Sequence, residues 1–166
     1  MIGIDSDVLI KLTKSGAKEL VASSVKMVVS PRVRKETVEE GIEGGFPDAF
    51  EIERNLKKGL LKVAKAPKTR GTETVVKKLG LKGGEADVLR LFKAGKCRAI
   101  ASDDQKFLDL IMALNVPFFT PSSLIIYAWK EEKIDKKTCL GLLEKLRPMI
   151  SEEEYQLAVI KLKGGG

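Results

Sequence analysis

Four acids stand where strand and helix patterning leaves little room for a carboxylate: Asp5, Glu36, Glu85 and Asp104. Asp5 closes the apolar run Ile2–Ile4 and precedes an apolar helical stretch. Asp104 follows the run that ends at Ser102, and its offsets of 3, 4 and 7 fall on Phe107, Leu108 and Ile111, the buried stripe of a helix. Glu85 repeats the arrangement with Val88, Leu89 and Phe92. A carboxylate at the head of such a stripe is costly unless it caps the helix or meets a cation. Each acid therefore has a plain structural alternative as a cap or a first-turn charge. Asp103 lies off the stripe and is the expected cap of its helix; Asp87 aligns with Arg90, Leu91 and Ala94 and is expected to be solvated. Glu36 stacks with Glu39, Glu40 and Glu43, which also reads as an exposed acidic face.

Taken together the four acids point to a cation. Carboxylates gathered in one place repel, and their pKa values rise unless a positive charge neutralises them. The chain has no histidine, so Ser-His-Asp and Cys-His catalysis and imidazole metal ligation are excluded. Cys97 and Cys139 are too few for a structural zinc site or a disulfide framework. Oxygen-only donors select Mg²⁺ or Mn²⁺. Such an ion activates water and stabilises the charge of an in-line displacement at phosphorus.

These residues need elements that bring them to one place. Ile2–Asp5, Val25–Val29, Leu60–Ala64, Arg98–Ser102 and Val116–Phe119 read as strands. Helices are expected over 7–12 and 17–22, from Ser30-Pro31 to Gly44, and over 48–58, 72–79, 84–94 and 103–114. Alternating short strands and helices imply a mostly parallel five-stranded sheet in a three-layer α/β/α arrangement. In such sheets the site lies outside the carboxyl ends of the strands, where strand order reverses. Three further helical stretches, 122–132, 136–146 and 152–162, follow, and Gly164–Gly166 reads as a flexible end. The expected division is a domain over 1–125 and a helical extension over 126–166 packed on it. Ile125, Ile126, Trp129, Ile134, Leu140, Leu143, Leu146 and Ile150 carry more apolar surface than a solvated appendix needs; a homodimer face is the alternative use for it.

Of the 166 residues 43% are hydrophobic and 32% charged, which suits a globular domain and not a disordered chain. No apolar run is long enough to span a membrane, and the start lacks a basic, long-apolar leader, so a cytoplasmic protein is expected. The net charge of +7 is unevenly placed: residues 54–82 hold ten basic side chains against Glu73 alone, and the remainder is slightly acidic. Arg54, Lys57, Lys58, Lys68, Arg70, Lys77 and Lys78 are candidate contacts for a phosphate backbone, with Lys68–Thr72 as a mobile loop among them. A solvated lysine-rich face is the alternative. Aromatics are scarce in this segment, which favours backbone contact with single-stranded RNA over base stacking.

Ile4-Asp5-Ser6-Asp7-Val8-Leu9-Ile10 resembles the opening motif of PIN-domain nucleases, the family of VapC-like and PilT N-terminus-like ribonucleases. Ser30-Pro31-Arg32-Val33-Arg34-Lys35-Glu36 is similar to its second segment, Gly84-Glu85-Ala86-Asp87-Val88-Leu89 to its third, and Ser102-Asp103-Asp104-Gln105-Lys106-Phe107 to its fourth. The resemblance covers roughly residues 1–125. It implies that Asp5, Glu36, Glu85 and Asp104 hold Mg²⁺ or Mn²⁺, that Ser102 supports them, and that Asp7 and Asp103 are further candidate ligands. It implies a metal-dependent endoribonuclease acting on RNA, with a VapC-like toxin and its antitoxin partner as one biological setting. Two alternatives stand beside it. One is a PIN fold that binds RNA or protein without cutting. The other rests on Asp5-Ser6-Asp7-Val8, which also resembles the nucleophile motif of haloacid dehalogenase-like phosphatases, with Asp5 attacking phosphorus.

Overall fold

Each strand is a run of two or three residues, and four of the five are followed by a short polar residue, Asp5, Ser30, Ser102 or Thr120, that suits a helix start or a turn. β1 is Ile2–Ile4, β2 Met27–Val29, β3 Leu61–Val63, β4 Ala99–Ala101 and β5 Phe118–Phe119. The computed structural model describes residues 1–164. Its five strands form one sheet in the order β3-β2-β1-β4-β5, and all pairs are parallel. The three central strands β1, β2 and β4 are buried on both faces, which is why they read as plain apolar runs, whereas the edge strands β3 and β5 are partly exposed and β3 carries Lys62. Ile2, Ile4, Met27, Val29, Leu61, Ala99 and Ala101 join the larger core cluster, whereas Val28 and Ile100 belong to clusters on the other side. Gly3 is fixed by close approach, since a Cβ there would stand 2.9 Å from Cys97 Sγ.

The helices are α1 (Ser6–Lys14), α2 (Lys18–Ser24), α3 (Pro31–Arg34), α4 (Glu40–Glu43), α5 (Pro47–Lys57), α6 (Arg70–Lys78), α7 (Gly83–Lys93), α8 (Gln105–Ala113), α9 (Pro121–Lys130), α10 (Lys136–Leu146) and α11 (Glu152–Gly164). The expected helix from Ser30-Pro31 to Gly44 begins where the sequence places it, with Ser30 as its cap. It is not uniform, however. Residues Lys35–Glu39 form a π-helical turn between α3 and α4. No Pro, Gly or side-chain pattern within that turn announces it.

Two local expectations are corrected. The cap of α8 is Asp104 and not Asp103: Asp104 Oδ1 accepts the Phe107 N–H at 2.8 Å. Asp103 turns to α1 instead and pairs with Lys11. Lys68–Thr72 is not a loop throughout. Thr69 caps α6, which starts at Arg70, so the hydroxyl that looked like loop composition is a helix start.

The chain runs β1, β2, β3 to one edge, then returns to place β4 and β5 on the other side of β1. Strand order therefore reverses between β1 and β4, the place where such sheets carry their sites. α9, α10 and α11 share the larger core with α1, α2 and α5: Ile125, Ile126, Ile134, Leu143 and Leu146 are buried there, Trp129 and Ile150 pack against it, and Leu140 is exposed. α9 runs unbroken across residue 125. Buried Lys18 ties α2 to α5 through Glu51, 3.4 Å away. Gly164 closes α11, and the rest of the expected flexible end, Gly165 and Gly166, lies outside the described residues. Among the described residues no helix is long and apolar enough to cross a membrane.

Candidate active site

The pairing of Ile4 with Ala101 puts the next residues, Asp5 and Ser102, side by side at the point of strand reversal. Asp5 is the N-cap of α1. Its Oδ1 accepts the Val8 N–H at 2.9 Å, and Ser102, itself buried, hydrogen-bonds the same carboxylate. Burial pushes the Asp5 carboxyl up from 3.8 to about 6, against the lowering effect of those two hydrogen bonds. Ser102 also accepts the Asp104 N–H at 3.3 Å, so one hydroxyl touches both acids that leave β1 and β4.

Glu85 lies in the first turn of α7, a helix opened by Gly83 at φ +54°, a conformation that favours glycine. Its pKa is raised, first by burial and then by the negative charge of Asp104. Glu85 and Asp104 are thus close enough to repel. Glu36, on the π turn, accepts from the Ser6 hydroxyl at 2.5 Å, and its side chain is about one-third exposed (34%), whereas Glu39, Glu40 and Glu43 of the same acidic stack are exposed. Ser6 is adjacent to Asp5, which brings the second segment to the same corner.

Asp87 is not simply solvated. It accepts from Arg90 at 2.7 Å and from Ser30 at 3.3 Å, and Arg32 stands 3.6 Å away. Arg90 also grips Glu73 with two hydrogen bonds, at 2.7 and 3.0 Å. The third segment thus sends one acid, Glu85, toward Asp104 and turns the other, Asp87, toward a cationic cluster.

Asp7 is exposed in the first turn of α1 and adds negative charge near Asp5. Among the described residues no three acids converge into a ready-made cation site. Asp5 and Asp104 each cap their own helix through one oxygen, and Lys11 pairs with Asp103. The sequence reading also left out Ser6, Lys11, Arg32 and Arg90. Two of these carried a signal, because Arg32 is four residues before Glu36 and Arg90 three after Asp87, the spacings of helical ion pairs.

A family model described as a PIN domain (DUF3368) matches residues 1–163. The chain belongs to the PIN-domain family. The match runs past the roughly 125 residues whose motifs suggested it and takes in α10 and nearly all of α11. PIN domains are generally nucleases, so a hydrolase acting on nucleic acid is the coarse reading for this member. No curated protein and no solved structure matches the chain.

The basic side chains of this PIN domain are spread over different parts of the fold. Lys57 and Lys58 immediately precede β3 and so lie at the edge where the strands begin, opposite Asp5. Lys77 and Lys78 end α6, which packs on α7. Lys65 and Lys68 follow β3 and lie at the same edge as Asp5.

Proposed function

We propose that the chain is a metal-dependent endoribonuclease that hydrolyses RNA phosphodiester bonds, with Asp5, Glu36, Glu85 and Asp104 holding Mg²⁺ or Mn²⁺. The observation that carries this is the electrostatic state of the corner. Burial holds the Asp5 carboxyl up at about 6, and burial together with Asp104 raises Glu85. Asp5 stands beside Ser102 and Asp104 at the strand reversal, and Glu85 and Asp104 are close enough to repel, so a divalent cation there would relieve both the burial and the repulsion; a donor set of oxygens alone suits Mg²⁺ or Mn²⁺. When bound, such an ion supplies an activated water and neutralises charge at phosphorus.

The protein's own groups set the geometry. Ser102 and the Val8 N–H hold and orient the Asp5 carboxylate. Ser6 fixes Glu36. Asp7 and Asp103 sit at the margin as additional oxygen donors, with Lys11 as the competitor for Asp103. RNA would approach across the basic residues on the Asp5 edge. A VapC-like toxin restrained by an antitoxin, and a homodimer, are finer proposals within the same reading.

A PIN fold that binds without cutting is the second reading, favoured by the lack of three converging acids among the described residues. The phosphatase alternative gives Glu36 and Glu85 no task and is set aside now that the family is known. The deciding experiment is cleavage of an end-labelled single-stranded RNA with Mn²⁺, with Asp5→Asn as control. Metal-dependent cleavage lost in the variant supports the nuclease; RNA binding without cleavage in the parent protein supports the binding module.

A further inference from the structure

A cleft of about 500 Å³ opens beside the acids, between α3 and α7 and over the ends of β2 and β3. Glu36 is common to both places: it accepts from Ser6 on one side and lines the cleft on the other. Five cationic side chains line the cleft against three carboxylates. They are not equally available. Arg90 is bound to Glu73 and Asp87 and is largely buried. Lys35 pairs with Glu40 at 3.4 Å. Arg32 is more than half exposed (56%) and only loosely held, 3.6 Å from Asp87 and 3.8 Å from Glu36. Lys65 and Lys68 are exposed and make no ion pair among the described residues, although Lys68 is near enough to lower the pKa of Glu73.

Unspent cations in a concave site attract an anion, and a site that adjoins acids cannot take a free carboxylate as cheaply as a phosphodiester already spanning both. The strand is single and flexible, so its backbone can turn from the acids into the cleft within one or two nucleotides. We propose that Arg32, Lys65 and Lys68 form a subsite for a backbone phosphate of the RNA, next to the acids and joined to them through Glu36. The proposal rests on the nuclease reading for its substrate. It also selects among the basic residues: Lys57 and Lys58, at the opposite edge of the sheet, are not part of this subsite, and Lys57 already pairs with Glu53 at 2.9 Å.

The test is binding of a labelled single-stranded RNA by fluorescence anisotropy across a salt series, in EDTA so that no cleavage intervenes. The double variant Lys65→Gln/Lys68→Gln should bind roughly tenfold more weakly at physiological salt, and its salt slope should fall by about 1.4 units for two lost phosphate contacts on a single strand. Lys57→Gln/Lys58→Gln should keep the parent slope. All four residues are exposed, so melting temperatures should not move and will show that both variants fold. Equal losses in the two variants, or none in Lys65→Gln/Lys68→Gln, would overturn the subsite. Parallel assays with Mn²⁺ separate this outcome from failure of the nuclease reading. A parent protein that cleaves while the cleft variant binds normally loses the subsite alone; one that shows the expected slopes but never cleaves loses only the nuclease reading; one that binds no RNA loses both.

Discussion

The Ser6 hydroxyl donates to Glu36 Oε2 across 2.5 Å, joining the first turn of α1 to the π turn between α3 and α4. Ser6 follows the acid that ends β1, so the bond ties the first and second acidic segments directly. π turns recur at functional sites because one extra residue per turn re-aims the side chains around it.

Ser6→Ala should leave the fold nearly intact. Glu36 is partly exposed, and the lost bond should cost about 0.5–1.5 kcal/mol. Metal-dependent RNA cleavage should fall by roughly tenfold, in the range seen when a metal ligand loses its supporting hydrogen bond. Ser6→Thr keeps the hydroxyl and should keep the activity. Thermal melts paired with cleavage rates check both; full activity in Ser6→Ala would show that Glu36 needs no tether.

Asp104 has two roles that substitution can separate. It caps α8 through Phe107 N–H, and it raises the pKa of Glu85. Asp104→Ser retains a capping oxygen and loses the charge, so the metal-free protein should be about as stable as the parent. Asp104→Ala loses the cap and should cost about 1 kcal/mol. Both variants should show a smaller Mn²⁺-induced rise in melting temperature. An undiminished rise in Asp104→Ser would make Asp104 a cap and nothing more.

The raised Asp5 carboxyl gives a pH signature. Its folded-state pKa, about 6, is above its ordinary 3.8, so between these values the folded state holds the proton that the unfolded chain has released. The contribution of Asp5 to the stability of the metal-free protein should therefore decline as pH rises from about 4 to about 6, by up to ~3 kcal/mol, with Glu85 acting in the same direction. Asp5→Asn should lack this part of the pH dependence, so that parent and variant differ in slope across the window. Saturating Mn²⁺ should oppose the decline, because binding needs the deprotonated acids. Urea titrations across this pH window, with and without metal, measure both effects; a parent and an Asp5→Asn variant with the same slope would reject the shift.

Most of this architecture was legible because the central strands, buried on both faces, are short apolar runs and several helices open on a side-chain cap. Ser30-Pro31, Gly83 and Gly95 mark boundaries by backbone chemistry that needs no tertiary context. Asp5, Glu85 and Asp104 stood out because a carboxylate heading a buried stripe is unusual. The rest depended on partners distant in sequence. Asp103 and Asp104 are adjacent and chemically identical; in the fold Asp104 caps α8 while Asp103 meets Lys11 of α1, a partner 92 positions away in sequence. Asp87 looked solvated because Arg32 and Ser30 reach it from another segment. The basic segment reads as one track in sequence, yet β3 carries the chain from one edge of the sheet to the other and divides it.

The C-terminal helices give the last prediction. Leu143 on α10 is fully buried in the cluster that also holds Leu9 and Leu12 of α1 and Leu124 and Ile125 of α9. Leu143→Ala should cost about 2–5 kcal/mol, because the surrounding helices close only partly over the cavity. Deleting residues 132–166 removes α10 and α11 and bares the buried side chains of α9 to water. If these helices are part of the core, the truncated chain should be insoluble or unfolded at every concentration, as an exposed apolar face of that size aggregates. In the single chain these residues are already buried against α1, α2 and α5, so the core outcome is the expected one; a soluble, folded truncated monomer that still binds Mn²⁺ is the opposite result. Sedimentation and circular dichroism of the truncated chain separate the two, and a folded monomer would move these helices from the core to an interface.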